Sequence, residues 1–356
     1  MSRFFPPHIE KLAGYVPGEQ PRDAGITKLN TNENPYPPSP RVAEAIARVV
    51  SGLRSYPDPV GTAFREAAAR RHGVDPAMIL AGNGSDDLLT ILTRAFVGPG
   101  QVVAFPTPSY ILYRTLAEIQ DARPVEVPFD RAWKIDPAAF VRAGAKLVFL
   151  ANPNSPSGTA LAPAEVGALA RALSCPLVVD EAYGDFAEVD CIGLVADLPN
   201  VIVTRTLSKG YSLAGLRLGY LIARPEVVQG LIKVKDSYNC DTLSLAGAVA
   251  AIEDRAYLSE TRSKILATRS RLSAALRGLG YHVPESHANF VWCAAGPPAS
   301  VIYEALKARR ILVRLMRYPG LDDGLRITVG TDEEIDRLLD ALVEIFRGSL
   351  ENPGGR

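Results

Sequence analysis

The sequence predicts an α/β protein: a large domain with a mostly parallel sheet covered by helices, joined to a smaller α+β domain. Short apolar runs rich in β-branched residues alternate with helical patterns along most of the chain, which is typical of a doubly wound sheet. From about Tyr257 the pattern changes to a long helical stretch followed by separate strand-like segments. We therefore expect a large domain over residues 29–255, an N-terminal arm over 1–28 and a small C-terminal domain over 256–356.

The strands of the large domain are predicted from four runs that are too apolar to have a solvent-exposed face. They lie at residues 102–105, 147–150, 177–179 and 201–203. A parallel sheet with helices on both sides buries both faces of its strands, so we expect these runs to form its centre.

The helices are predicted from apolar residues that recur every three or four positions. One such pattern runs from residue 88 to 96 and stops at Gly98-Pro99-Gly100, and another helix should begin after Pro163. Residues 1–40 are rich in Pro and Asn and are expected to be an extended arm. The C-terminal part should add helices over 257–280 and 333–346 and strands over 288–292 and 325–329.

Composition and charge exclude several classes of protein. The 356 residues include 39 basic and 39 acidic side chains, so the net charge gives no support for nucleic acid or an anionic membrane as the main partner. With 47% apolar and 22% charged residues, wholesale disorder is excluded. No apolar run is long enough to span a membrane, and the first residues lack the apolar core of a signal peptide. The expectation is a soluble cytoplasmic protein.

Cysteine and histidine spacing predicts no metal site. The four cysteines are far apart, with no CxxC pair, and are expected to be buried thiols in a reducing compartment. The four histidines follow no ligand spacing and are expected to be ordinary surface or core residues. These residues are Cys175, Cys191, Cys240, Cys293, His8, His72, His282 and His287.

Ligands of open α/β sheets gather at the carboxyl ends of the strands, so the residues after each apolar run are the first candidates for a site. The segment Gly82-Asn83-Gly84-Ser85-Asp86 opens the helix that contains Leu88. Glycines let backbone amides approach an anion there, and the helix N-terminus adds partial positive charge. The alternative is a simple turn in which Ser85 or Asp86 caps the helix.

Two polar segments and one lysine follow the other strands. A loop of Asn, Pro and Ser (152–159) and the tetrapeptide Asp180-Glu181-Ala182-Tyr183 each follow an apolar run. Lys209 stands between Ser208 and a glycine-rich turn, and Arg217 comes eight residues later. A lone lysine in a loop is ordinarily a surface cation. A lysine in this combination of residues, directly after a core strand, is a far more specific indication of a functional site.

These motifs resemble those of a known family. The Ser208-Lys209 pattern that continues to Gly215-x-Arg217-x-Gly219, the upstream Asp180-x-x-Tyr183 and the Asn-Pro-x-x-Pro-x-Gly loop resemble the pyridoxal-phosphate (PLP) aminotransferases of the aspartate aminotransferase type. The resemblance implies the type I PLP-dependent transferase fold, PLP as the cofactor and amino-group transfer as the activity.

Three further segments make the resemblance specific to one group within this family. Residues 12–18 and 28–36 of the arm, and residues 325–331, are similar to histidinol-phosphate aminotransferases. The likeness runs from about residue 9 to 346 with its motifs in the family's order. It implies transfer of an amino group between histidinol phosphate and 2-oxoglutarate, in histidine biosynthesis.

The resemblance also implies roles at the reactive end of the cofactor. Lys209 matches the lysine that forms an imine with the cofactor aldehyde and then shuttles a proton between the substrate carbon and the cofactor. Asp180 matches the carboxylate that keeps the pyridine nitrogen protonated. At about 4 Å and an effective dielectric near 20, such a pair contributes roughly 4 kcal/mol, or about three pKa units. Tyr183 matches the residue that contacts the ring's phenolic oxygen.

Further cofactor contacts are carried over position by position. Tyr110 matches the aromatic that stacks on the ring, although a core role is the alternative without the family context. Tyr56 matches a tyrosine that reaches the phosphate bound by a neighbouring subunit, which implies a homodimer with shared active sites. The residues assigned to the phosphate are Gly84, Ser85, Asp86, Ser208 and Arg217, and Thr206 is assigned to the cofactor without a named contact.

One position departs from the family pattern. The family commonly has Asn immediately before the Pro-x-Gly of the strand-end loop, where it bonds the phenolic oxygen, and here that position is Ser155. Either Ser155 makes a weaker bond or Asn154, one residue earlier, takes its place. We expect Asn154.

Substrate recognition is assigned to anion-binding arginines. Arg326 matches the arginine that grips the substrate's anionic group, and Arg314 matches a second cation that favours a phosphate dianion. The alternative for Arg314 is a solvated surface charge. Tyr15 and Asn289 also fall at family positions near the substrate.

Other functions remain open at this point. An aromatic amino-acid aminotransferase would use the same cofactor with another substrate, and a decarboxylase of a phosphorylated amino acid would break another bond. A non-catalytic regulator with this fold ordinarily carries a DNA-binding domain, and the sequence has no spare segment or basic patch for one.

Overall fold

A computed structural model describes residues 4–14, 18–20, 25–294, 298–318 and 322–351, with side chains described up to residue 347. Within those ranges, no helix has both the length and the apolar character needed to cross a membrane.

The elements follow one another in the alternation that the sequence predicts. The helices are α1 (Pro7–Glu10), α2 (Pro40–Val49), α3 (Thr62–His72), α4 (Ser85–Phe96), α5 (Leu112–Ile119), α6 (Pro137–Ala143), α7 (Pro163–Ala172), α8 (Leu194–Asp197), α9 (Pro225–Ile232), α10 (Thr242–Glu253), α11 (Arg255–Gly278), α12 (Ala299–Ala308) and α13 (Asp332–Glu351). The strands are β1 (Thr27–Lys28), β2 (Ile79–Gly82), β3 (Val102–Thr107), β4 (Arg123–Pro128), β5 (Leu147–Ala151), β6 (Leu177–Asp180), β7 (Val201–Thr206), β8 (Gly219–Ile222), β9 (Phe290–Ala294), β10 (Ile311–Leu312), β11 (Arg314–Met316) and β12 (Gly324–Thr328).

A seven-stranded sheet forms the centre of the molecule, in the order β2-β8-β7-β6-β5-β3-β4. The neighbours β7–β6, β6–β5, β5–β3 and β3–β4 are parallel, and only β8 among these described strands runs against the others. The four predicted apolar runs are therefore strands of a mostly parallel sheet, and the predicted fold class is confirmed.

Helices cover both faces of this sheet because its central strands are apolar on both. In β5, Val148 and Leu150 belong to the apolar core formed with α3, α6, α7 and α10. Leu147 and Phe149 point the other way, into the core formed with α4, α5 and α9. Alternate residues of one strand thus fill two separate cores, as a buried parallel strand requires.

A second sheet lies in the C-terminal part, where β11, β12 and β9 pair antiparallel. Its core is filled by α11, α12 and α13, and Leu29, the residue after β1, contributes to it. Strand β1 pairs in parallel with β10, so the arm joins this part of the molecule. The arm is not wholly extended, since residues 7–10 form a helical turn behind prolines at positions 6 and 7. The domain boundaries given above stay a prediction.

The carboxyl ends of three strands and the start of one helix lie at the same edge of the large sheet. Strands β5, β6 and β7 are parallel neighbours, so their carboxyl ends at Ala151, Asp180 and Thr206 lie side by side. Helix α4 begins at Ser85, directly beyond the carboxyl end of β2. This edge holds the cavity described next.

Candidate active site

A cavity of 260 Å³ lies at the carboxyl edge of the large sheet. Most of the residues that the sequence assigns to a site line it. They are Ser85, Asp86, Tyr110, Ser155, Asp180, Tyr183, Thr206, Ser208, Lys209, Arg217, Arg314 and Arg326.

Asp180 ends β6 as a buried carboxylate at the floor of the cavity. One of its oxygens accepts a hydrogen bond from the Tyr113 hydroxyl at 2.8 Å, and the other accepts one from the Thr204 hydroxyl at 3.0 Å. Burial raises the pKa of Asp180 to about 6, although both hydrogen bonds oppose the rise. A carboxylate in this position favours a cationic partner.

Lys209 reaches the cavity from the loop after β7. Its Nζ atom donates a hydrogen bond of 3.2 Å to the main-chain oxygen of Thr31 and lies 5.9 Å from the centre of the Tyr183 ring. Asn34 holds the main chain at this point, because its Nδ2 atom donates to the carbonyl oxygens of Lys209 and Gly210, at 3.1 Å each. The amino group is therefore placed by the arm as well as by its own loop.

An anion-binding corner lies where α4 begins. Gly84 precedes the helix with φ +85°, and a glycine has no side chain to occupy the first amides. Arg217 donates to the Ser208 hydroxyl at 3.2 Å, and its guanidinium lies 3.6 Å from the carboxylate of Asp86. Free amides at a helix N-terminus and a fixed guanidinium are the donors that a phosphate needs.

Close packing keeps this corner in shape. A Cβ atom at Gly84 would lie 2.8 Å from Nη2 of Arg217, and one at Gly219 would lie 2.6 Å from the amide nitrogen of Ser85. Tyr110 packs beside it, with its hydroxyl 3.3 Å from Asp86 and its ring 5.7 Å from the ring of Tyr113 in an edge-on arrangement.

The expectation for Asn154 needs correction. Its side chain is 2% exposed and is fully used within the loops: Nδ2 donates to Pro108 O and to the Ser157 hydroxyl, and Oδ1 accepts from the Ser109 hydroxyl. Ser155 is the residue that lines the cavity, and its hydroxyl accepts a hydrogen bond from Arg326 at 3.0 Å. The loop closes on Asn154 and leaves Ser155 facing the cavity.

Both arginines assigned to the substrate lie in the cavity wall. Arg326 on β12 donates to Ser155 and to the main-chain oxygen of Asn30, and it lies over the ring of Phe290. Within the described part of the chain, its Nε atom is buried and has no hydrogen-bond partner. Arg314 stands opposite Arg326 in the pairing of β11 with β12. The surface-charge alternative for Arg314 is therefore not what the structure favours.

Besides Asn154, three predicted residues of the described chain are not among the lining residues of this cavity. Gly84 belongs to the anion-binding corner as the residue before α4, and Asn289 is fully buried, donating to the main-chain oxygen of Asn32. Tyr56 is 82% exposed and stacks on Tyr238, outside the cavity of its own chain. Tyr15 lies outside the described residues.

The structure adds residues that the sequence did not single out. Asn32 donates to the Tyr183 hydroxyl at 2.9 Å, and Thr31 and Asn34 contact Lys209. Tyr113 binds Asp180 from within α5. The asparagines belong to the arm segment 28–36, whose resemblance to the family was visible, but nothing in the sequence placed that segment over the lysine.

The fold and the cavity define a class of protein. A family model described as aminotransferase class I and II matches residues 24–342. The chain belongs to this family, and its cofactor is pyridoxal 5′-phosphate.

Curated relatives are similar over nearly the whole chain. The histidinol-phosphate aminotransferase of Rhodopirellula baltica is 52% identical over 336 residues, which cover 93% of this chain and 92% of that protein. The histidinol-phosphate aminotransferase of Syntrophotalea carbinolica is 50% identical, covering 95% of this chain and 98% of the relative.

Solved structures agree with the fold. The crystal structure of histidinol-phosphate aminotransferase from Sinorhizobium meliloti in complex with pyridoxal-5′-phosphate has a TM-score of 0.90 at 32% identity, covering 98% of this chain and 99% of that chain. Aspartate aminotransferase from Thermus thermophilus with maleate has a TM-score of 0.80 at 22% identity, covering 90% and 91%, and is a likeness of fold alone. The predicted type I PLP-dependent transferase fold is confirmed.

The residues of the cavity fit this cofactor. A buried carboxylate with a raised pKa, Asp180, suits the cationic nitrogen of the pyridine ring. Open amides at the start of α4, with Ser208 and Arg217, suit the phosphate. The amino group of Lys209 lies in the same cavity and suits the aldehyde.

Proposed function

We propose that this aminotransferase transfers an amino group between histidinol phosphate and 2-oxoglutarate, as a step of histidine biosynthesis. The proposal is supported by the names of the relatives that are about half identical in sequence. The observation that carries it is the presence of two arginines, Arg314 and Arg326, as cross-strand neighbours in the wall of one cavity.

Two cations suit this pair of substrates. Histidinol phosphate has a phosphate where glutamate has a carboxylate, so one site has to accept a dianion and a monoanion in turn. Arg326 has a fixed position and an unused buried N–H, which suits either anion. Arg314 adds the charge that favours the dianion over the carboxylate.

The bound cofactor supplies a carbonyl that takes up the substrate's amino group and a ring that withdraws electrons from the adjacent carbon. We assign to Nζ of Lys209 the transfer of the proton at that carbon. The carboxylate of Asp180 would hold the proton of the ring nitrogen, and the Tyr183 hydroxyl, oriented by Asn32, would contact the ring's phenolic oxygen. Ser155 would take the place of the usual Asn at that oxygen, and Tyr110 would cover the ring.

We also propose a homodimer. Tyr56 is largely exposed and lies beside a groove lined by Gly52, Phe64, Leu245 and Val249. In the family, the matching tyrosine reaches the phosphate held by a second subunit. An exposed tyrosine beside an apolar groove is consistent with that role. Sedimentation of the purified protein as a monomer would contradict this part of the proposal.

The function is tested by supplying the purified protein with histidinol phosphate and 2-oxoglutarate and measuring glutamate. Formation of glutamate, with a higher kcat/KM for histidinol phosphate than for phenylalanine, is the expected result. A preference for phenylalanine would favour an aromatic amino-acid aminotransferase, to which Tyr110, Met316 and Tyr318 in the cavity wall would be suited. Release of carbon dioxide would point to a decarboxylase.

A further inference from the structure

A buried group of three charged side chains lies behind the cavity. Arg205 donates from Nη1 to Glu181 at 2.7 Å and from Nη2 to Asp185 at 2.9 Å, and all three side chains are at most 5% exposed. We call Glu181, Arg205 and Asp185 the ion cluster. Burying three charges is costly unless each is paired, so their arrangement is tightly constrained.

Each member of the ion cluster is a near neighbour in sequence of a residue that lines the cavity. Glu181 follows Asp180 and Arg205 precedes Thr206, on two paired strands. Because successive side chains of a strand point to opposite faces, Asp180 and Thr206 face the cavity while Glu181 and Arg205 face away from it. Arg205 and Asp185 border a separate surface cavity on that far side.

Asp185 carries the connection to the lysine. It follows Tyr183 by two residues and packs against Gly210, where a Cβ atom would lie 2.6 Å from its Oδ2. Gly210 is the residue after Lys209, so the carboxylate of Asp185 lies directly against the main chain that presents the lysine. A shift of Asp185 would therefore shift Lys209.

The ion cluster is held in place by further bonds. The amide of Cys191 donates to the second oxygen of Glu181 at 2.6 Å, and Arg262 donates to the main-chain oxygen of Asp185 at 2.7 Å. Other charged or titratable groups close to the cluster include Arg71, His72, Asp190, Cys191, Tyr211 and Tyr220.

We propose that the ion cluster fixes the position of Lys209 relative to Asp180, so that Glu181, Arg205 and Asp185 are positioning residues for amino-group transfer. The guanidinium spans two carboxylates, one joined to the strand of Asp180 and one packed against the loop of Lys209. This inference rests on the roles proposed above for Lys209 and Asp180. It assigns a function to three residues that do not line the cofactor cavity.

The decisive variant is Arg205→Lys, which keeps the charge but cannot reach both carboxylates as a planar fork. Its visible absorbance with bound cofactor, followed against pH, reports the surroundings of the lysine and the ring nitrogen. We expect the midpoint of that titration to move by about one pH unit, a tenfold change in proton binding. We also expect kcat to fall more than KM rises. Asp185→Asn, which keeps the shape of the side chain, should move the midpoint as well.

Leu338→Ala is the matched control for stability. Leu338 lies on α13 and is fully buried in the apolar core of the C-terminal part, away from the cavity. This substitution should lower the free energy of unfolding without moving the titration. If Arg205→Lys and Asp185→Asn lose stability but titrate like the wild type, the ion cluster is only structural and the inference is wrong. If Arg205→Lys does not fold, the titration midpoint of Asp185→Asn alone tests the inference: a shifted midpoint supports it and an unchanged midpoint contradicts it. If the wild type itself shows no lysine-bound cofactor, the proposed function fails instead.

Discussion

The Nζ atom of Lys209 donates a hydrogen bond of 3.2 Å to the main-chain oxygen of Thr31, although 178 residues separate the two in the chain. The same arm segment holds the main chain of Lys209 through Asn34 and the hydroxyl of Tyr183 through Asn32. The arm is therefore part of the site and not only a connection to it. Changes in the arm should alter the chemistry even where they touch no cofactor.

The substitution Asn34→Asp tests this contribution of the arm. Asn34 donates to the carbonyl oxygens of Lys209 and Gly210, and an aspartate would place an acceptor against both. Leaving such groups unpaired costs about 1–3 kcal/mol. We expect kcat to fall about tenfold, as a loss of 1.4 kcal/mol in transition-state stabilisation would produce.

Asn200→Asp is the control for that variant. Asn200 also donates to two carbonyl oxygens, those of Ala170 and Cys175, away from the cavity. Both variants should lose similar stability in thermal unfolding, and only Asn34→Asp should lose activity. Equal activities in the two variants would show that Asn34 is merely structural.

The pH dependence of stability tests the state of Asp180 in the cofactor-free protein. Burial raises the pKa of Asp180 from 3.8 to about 6, so the folded protein holds this proton more tightly than the unfolded chain. The corresponding stabilisation is complete below pH 3.8 and is lost as the pH rises through about 6. The shift corresponds to about 3 kcal/mol.

Asp180→Asn removes that ionisation. The difference in free energy of unfolding between Asp180→Asn and the wild type should grow in favour of the variant, by up to about 3 kcal/mol, as the pH rises from about 4 to 7. Urea titrations at several pH values measure it, with the exposed Asp340→Asn as a control for loss of charge. A difference that stays constant with pH would contradict the raised pKa.

Gly84→Ala tests the anion-binding corner. A methyl group at position 84 would lie 2.8 Å from Nη2 of Arg217, so the guanidinium would have to move. We expect the dissociation constant for pyridoxal 5′-phosphate, measured by equilibrium dialysis, to rise about tenfold, equivalent to 1.4 kcal/mol.

Gly100→Ala controls for backbone strain. Gly100 has φ +72° against +85° for Gly84, and a Cβ atom there would meet nothing within 4 Å. Both variants carry the strain of an alanine at positive φ, and Gly84, with ψ 166°, lies in a backbone region that only glycine readily adopts. If both variants bind the cofactor as tightly as the wild type, the anion-binding corner does not bind the cofactor phosphate.

Arg314→Met tests how the substrates are distinguished. If Arg314 favours the dianion, its removal should raise KM for histidinol phosphate about tenfold, the effect of 1.4 kcal/mol, and KM for glutamate by less. Arg326→Met should raise both. Arg317→Met is the control, since Arg317 pairs with Asp323 and is largely exposed. An equal rise for both substrates in Arg314→Met would contradict the assignment.

The strands of the central sheet could be predicted from the sequence. They are buried on both faces and therefore appear in the sequence as unbroken apolar runs. The sequence was also sufficient for the residues at the strand ends, since the edge at which parallel strands finish is fixed by the fold. Asp180 and Lys209 reach one cavity for this reason.

The sequence could not show which of Asn154 and Ser155 faces the cavity. That choice depends on which way one loop turns, and there Asn154 bonds Pro108 and Ser157 and faces away from the cavity. Contacts made by main-chain atoms, such as the oxygen of Thr31, leave no signature in residue types. The approach of Asp185 to Gly210 likewise appears only when both loops are folded.

The attachment of the cofactor to Lys209 can be measured directly. The purified yellow protein is reduced with borohydride, digested and analysed by peptide mass spectrometry. A pyridoxyl group on the peptide containing Lys209, and its loss in Lys209→Ala, is the predicted result. A pyridoxyl group on a different lysine, or full turnover by Lys209→Ala, would contradict the role of this residue and with it the proposed chemistry of the site.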